Sequence, residues 1–338
     1  MEKKNFIITV GRQFGSGGRE LGQMLANKLG INYYDKVAGP IVLYKELIPQ
    51  FEDLSRRRFD SASFARGLYL FILGLSKKVL LADTFALMAN YGFAQTFSLD
   101  AISTIFVILS YTFELYFDFS GYSDMAIGLG RMFHIELPLN FDSPYRSCSI
   151  KEFWQRWHIT LSRFFITYVY IPLGGSRRGK ARMLLNTFLV FLLSGLWHGA
   201  AWTYVAWGAM HGLLVVWDNL GIVGIRGREE KRPSRFHIPA WLGWIFTFTL
   251  FNLSLFFFRS ESMLAAIQLF KNLTSIRFSG KLFEVAAQLD ISEIYVVRQV
   301  LDLACKKRII FCAAGSDICC YHSFLFVHKT FDHFLQSK

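Results

Sequence analysis

The 35 residues from Met183 to Trp217 contain no Asp, Glu, Lys or Arg. One membrane-spanning helix needs about 20 apolar residues. The stretch is therefore too long for one crossing and slightly short for two ordinary ones. It predicts a tight hairpin, or two tilted helices broken near Gly195 and Gly199. Pro239–Phe258 is a further apolar span, and Ala101–Phe113 opens a helix predicted to run to about Asp118. Gly67–Ser76 and Val79–Phe93 are apolar runs split by Lys77 and Lys78, which suits an interfacial segment or a broken span.

The composition agrees with a lipid environment. The chain is 53% hydrophobic, 17% aromatic and 18% charged. That excludes a disordered protein, and it departs from soluble domains, in which about a quarter of residues are charged. The net charge of +12 suits a membrane protein whose cytoplasmic loops face anionic lipid. Zinc-finger and RRM patterns are missing and the basic residues are scattered, so nucleic acid is not an expected partner. Five cysteines give no disulfide framework. The N-terminus has no apolar core of the signal-peptide kind. Basic loops at Gly174–Arg182 and Arg226–Arg235 flank the long uncharged stretch. If that stretch crosses twice, the positive-inside rule places both loops in the cytoplasm. All eight Trp fall between Trp154 and Trp244, a clustering that suits either interfacial helix ends or one aromatic-lined cavity.

Residues 1–36 have a different character. Phe6–Val10 reads as a short buried strand, Gly11–Gly18 as a glycine-rich loop, and Leu21, Met24, Leu25 and Leu29 as a helix face ending at Gly30. This order opens a phosphate-binding βαβ unit, in which Gly11, Gly15, Gly17, Gly18 and Arg19 would meet a nucleotide phosphate. Gly18-Arg19-Glu20 stands where a Walker A loop has Gly-Lys-Ser/Thr. The segment resembles the N-terminus of cytidylate-kinase-like proteins through ITVGRQFGSGGRELG and KLGINYYDK.

Three segments of the remainder can carry chemistry. In Tyr111–Asp124 (YTFELYFDFSGYSD), Glu114 and Asp118 share a helix face. Acids at membrane depth face a cavity or a partner, whereas at a helix end in the headgroup layer they cost little. In Ser149–Tyr170, Ser149-x-x-Glu152 is a capping box that starts a helix at Ile150. On that helix Trp154, His158, Leu161 and Phe165 form one stripe, and His158 taken alone reads first as a hydrogen-bonded core histidine. In Leu196–Met210, His198 lies in the longest uncharged stretch, beside Gly199, Ala200 and Ala201. A neutral imidazole there can act as a general base. It has no ligand partner at i+3 or i+4, so no metal is expected. His211 alone reads as a packing residue.

FDFSGYSDMAIGLGRMF, LPLNFDSPYRS, IKEFWQRWHITLSRFF, YIPLGG and LSGLWHGAAWTYVAWGAMHG resemble the membrane-bound O-acyltransferases, in particular their alginate O-acetyltransferase branch. VAGPIVLYKELIPQF and GLSKKVLLAD match the same branch. The resemblance runs from about Val37 to Ile276. It implies an all-α polytopic membrane core over residues 37–296, without the family's first helices. Residues 1–36 would be a kinase-like P-loop fragment and 297–338 an atypical tail holding Cys305, Cys312, Cys319 and Cys320.

The same resemblance implies transfer of an acyl group, usually acetyl, from a thioester such as acetyl-CoA to a polysaccharide hydroxyl. No tightly bound cofactor is implied. The setting would be the inner membrane, with lipid, polysaccharide and envelope acetylation proteins as partners. His198 matches the family's catalytic histidine and His158 a second histidine of the reaction tunnel. Asp118, Ser120, Asp124, Trp197 and His211 are secondary candidates. An inactive truncated or fused remnant, or a nucleotide-binding protein built on residues 1–36, are the alternative readings.

Overall fold

The computed structural model describes residues 60–226, 234–275 and 281–286, with Gln50 and Gln288. The kinase-like segment, its glycines and Arg19, the 36/37 boundary and the cysteine-bearing tail lie outside the described residues.

Helix α1 (Ser61–Ser76) starts where the Asp60 carboxylate accepts from the Ala62 and Ser63 amides. It continues through a π-helical stretch, Lys77–Ala82, into α2 (Asp83–Ala94). The two apolar runs split by Lys77 and Lys78 are thus one nearly continuous helical path. Asp100 accepts from the Ser103 amide and opens α3 (Ala101–Met132). This helix has 32 residues and passes the expected end at Asp118. Lys77 and Lys78 pair with two of the acids in its second half.

Two seven-residue helices follow, α4 (Ile150–Arg156) and α5 (Ile159–Phe165), the second running into a π-turn at Ile166–Tyr170. Ser149 caps α4 as expected, its hydroxyl accepting from the Glu152 amide. The reciprocal bond goes from the Cys148 amide to Glu152 Oε2.

The uncharged stretch forms α6 (Lys180–His198) and α7 (Trp202–Leu220), broken at Gly199–Ala201. A small parallel pair follows, β1 (Val223–Ile225) and β2 (Phe236–Ile238), with Gly224 opposite His237. The described chain ends with α8 (Ala240–Arg259), α9 (Met263–Asn272) and α10 (Lys281–Ala286).

By length and composition α3, α6 and α8 are apolar enough to cross a membrane. At 1.5 Å per residue α3 is about 48 Å long, more than the roughly 30 Å hydrocarbon layer.

In lipid, helices associate through close packing of small residues and through buried hydrogen bonds. Both devices are present. A Cβ on Gly67 would meet the Gly128 carbonyl oxygen at 2.6 Å, and one on Gly74 would meet that of Gly121 at 2.5 Å. These glycines let α1 and α3 touch backbone to backbone. Gly195 and Gly208 do the same for α6 and α7. Thr112 on α3 donates to Asn252 Oδ1 on α8 at 2.6 Å, and Tyr145 donates to the Thr112 carbonyl at 2.7 Å. Around these bonds lies an aromatic core of Phe141, Tyr145, Phe153, Trp157 and Phe251, with the Phe153 and Phe251 centroids 4.3 Å apart.

Candidate active site

His198 is the last residue of α6, half-buried, where Gly199 ends the helix. Its ring sits among Trp197, Trp207 and Phe258, with centroids 5.0, 5.3 and 5.0 Å away. No described residue hydrogen-bonds its ring nitrogens. His158 does not continue the α4 helix as the stripe had predicted. It occupies the break between α4 and α5, in a left-handed conformation with φ 45° and ψ 52°. A non-glycine residue there is strained and needs support from its surroundings. Asn140 supplies it: its backbone carbonyl accepts from the Ile159 amide at 3.0 Å, and its side chain meets His158 and Thr160.

The break has a consequence for the site. It turns His158 inward, its ring edge-on to Phe119 at 4.6 Å. His158 and His198 then line one cavity of about 60 Å³. The other walls are Leu115 and Phe119 from α3, Trp154, Trp157 and Leu161 from the α4–α5 region, Trp207 from α7, and Phe251, Leu255 and Phe258 from α8. The space admits a few waters or an acetyl-sized group. Trp207 is buried, and its indole N–H has no hydrogen-bond partner among the described residues.

The other candidates lie elsewhere. Asp118 pairs with Lys78 at 2.6 Å and Asp124 with Lys77 at 2.6 Å, at the seam between α3 and the π-helical continuation of α1. Lys78 also pairs with Asp83 at 2.8 Å. Ser120 is buried, with no partner for its hydroxyl among the described residues. Trp197 is half exposed beside His198. His211 is fully buried and hydrogen-bonded at both nitrogens. The Trp154 indole can only donate, so Nδ1 accepts and Nε2–H donates to Ser254. Ser254 in turn donates to the Phe251 carbonyl at 2.6 Å. His211 therefore braces the Trp154 wall and has no free nitrogen for substrate.

The eight tryptophans divide between the two settings that their clustering suggested. Trp154, Trp157 and Trp207 line the cavity. Trp197, Trp202, Trp217, Trp241 and Trp244 are exposed, as suits side chains at a lipid–water boundary. Sequence reasoning missed Asn140, Phe119, Trp207 and Phe258 as site residues. Asn140 carried one signal, an amide inside the LPLNFDSPYRS segment, but nothing local linked it to His158.

These elements define a helical membrane protein with two histidines facing one apolar cavity. Residues 19–260 match MBOAT, the membrane-bound O-acyltransferase family, and the match opens just after the glycine-rich loop, within residues 1–36. The chain belongs to this family of integral membrane acyltransferases.

The chain is 42% identical to the peptidoglycan O-acetyltransferase of Helicobacter pylori, over 76% of this chain and 48% of that protein. It is 41% identical to the "Probable alginate O-acetylase AlgI" of Pseudomonas aeruginosa, over 71% of this chain and 44% of that one. It is 30% identical to the teichoic acid D-alanyltransferase of Streptococcus thermophilus, over 65% and 58% respectively. The chain thus spans about half the length of the relatives it matches.

Proposed function

We propose that this chain carries the catalytic region of an O-acetyltransferase acting on a cell-envelope polysaccharide, with His198 as general base. The observation that supports the reading is the shared cavity: two histidines against aromatic walls, with room for an acetyl group. The relatives act, by name, on peptidoglycan, alginate and teichoic acid. A hydroxyl of an envelope polymer is the acceptor class common to this reading.

In the reaction, His198 takes the proton of the acceptor hydroxyl as its oxygen attacks the carbonyl carbon of an acyl thioester such as acetyl-CoA. The tetrahedral intermediate collapses, the C–S bond breaks, and the imidazolium proton passes to the departing thiolate. The products are an O-acetyl ester and a free thiol. The intermediate's oxyanion needs a donor, and the unpartnered Trp207 indole N–H is the cavity-wall group suited to that role. The protein would sit in the inner membrane with several crossings, alongside envelope acetylation partners.

The test is transfer of labelled acetyl from a thioester to polymer by membranes containing the chain. His198→Ala should lower transfer by at least about 100-fold with unchanged membrane insertion. Full activity in that variant would remove His198 from the mechanism.

A further inference from the structure

His158 and His211 are both buried histidines, but their hydrogen bonding differs. His211 uses both nitrogens. Among the described residues His158 uses one: its Nδ1 lies 3.1 Å from Asn140 Oδ1. Which partner donates follows from the neighbours. The Thr160 backbone N–H reaches the same Asn140 atom at 3.3 Å, and an amide N–H can only donate. The Thr160 hydroxyl meets it at 3.0 Å. The atom facing Thr160 is therefore the Asn140 oxygen. The opposite end of the amide, Nδ2, donates to Ser123 Oγ on α3 at 3.4 Å. Since Oδ1 only accepts, the His158 Nδ1 must carry a proton. In the neutral imidazole the second nitrogen, Nε2, then has a lone pair.

We propose that Asn140 is a positioning residue that fixes His158 with its proton on Nδ1, so that Nε2 meets the cavity as a hydrogen-bond acceptor. Asn140 acts twice, through its side chain on the ring and through its backbone carbonyl on the strained turn that follows. A fixed tautomer is how a neighbour makes a histidine competent for one role and not another. Here the role is acceptance. His158 receives a hydrogen bond from the acceptor hydroxyl, or from a water or second hydroxyl that orients it. A neutral His158 in this tautomer has no Nε2–H to offer an oxyanion, which leaves that task to other donors of the wall.

The functional part of this inference rests on the acetyl-transfer reading, whereas the tautomer does not. The experiment separates them. The full chain is labelled with ¹⁵N-histidine in lipid nanodiscs, and the His158 signals are assigned by their loss in His158→Gln. The expected spectrum shows a protonated Nδ1 and an unprotonated Nε2. Asn140→Asp, whose carboxylate still accepts, should keep that pattern and retain transfer within about tenfold. Asn140→Leu should lose the pattern and lose transfer by more than about tenfold at equal membrane level. A proton on Nε2 in the unsubstituted chain would overturn the proposal, and so would an Asn140→Leu variant with unchanged spectrum and transfer. Should Asn140→Leu fail to insert, the unsubstituted spectrum alone decides the tautomer. A chain with the expected spectrum but no transfer would count against the acetyl-transfer reading and leave the tautomer assignment standing.

Discussion

Helix α3 serves two regions that treat polarity in opposite ways. Toward α1 it presents Gly121, Gly128, Asp118 and Asp124, against Gly74, Gly67, Lys78 and Lys77. Toward the cavity it presents Leu115 and Phe119. The charges of the FDFSGYSD segment therefore go to a packing seam, while Phe119 between them, and Leu115 one turn earlier, go to the site. A charge at membrane depth requires a partner, and a lysine on the neighbouring helix provides one with a fixed register. The cavity needs a base that can exchange a proton without carrying a permanent charge, which a neutral imidazole among aromatic rings can do. The lesson is that an ionisable residue in a membrane helix need not be chemical. The hydrogen-bond and ion-pair partners decide its role.

Substitutions can break this contrast, and the largest effects belong to the cavity. His198→Ala should remove transfer by two orders of magnitude or more while the chain inserts normally. Asp118→Asn and Asp124→Asn should retain at least about a third of transfer in correctly inserted protein, since neither lines the cavity. A loss as large as that of His198→Ala would assign the seam a chemical role.

The seam should fail structurally. Gly128→Leu places a side chain where a Cβ alone would meet the Gly67 carbonyl oxygen at 2.6 Å. Overpacking of this kind costs about 1–3 kcal/mol or more. The expected result is a lower melting temperature in detergent and reduced membrane yield. Unchanged melting would show that α1 and α3 do not touch there.

Lys77→Leu should also destabilise, by leaving Asp124 without its cation. The double substitution Lys77→Leu with Asp124→Leu should recover part of the loss, because removing both partners is milder than removing one. A double variant no more stable than Lys77→Leu alone would deny the pairing.

The smallest effect should come from Ser254→Ala. It removes one hydrogen bond from His211, about 1 kcal/mol of stability, and leaves catalysis within severalfold. A loss of transfer that exceeds the loss of folded protein would make His211 more than a brace.

Much of this was legible in the chain, for physical reasons that differ by element. The hairpin of α6 and α7 follows from 35 uncharged residues broken at Gly199–Ala201, and α8 from its apolar run after Pro239. The start of α4 follows from Ser149, because a cap acts within one turn. The length of α3 and the turn at His158 did not follow. Each depends on a residue far along the chain: Asp118 and Asp124 of α3 on Lys78 and Lys77, and the turn on Asn140. Sequence spacing encodes local geometry, while such long-range pairs emerge only when helices pack. His158 and His198 were readable as candidates, and the family resemblance implied one reaction tunnel for both, but residue spacing alone did not bring them together.

That shared cavity is the central claim, and a double-mutant cycle in acetyl transfer tests it most directly. His158→Ala, His198→Ala and the double variant would be compared at equal membrane levels. Residues that act as a unit are strongly non-additive, so the double variant should lose about as much transfer as His198→Ala alone. Losses that multiply in full would show two histidines acting independently, and would contradict the account.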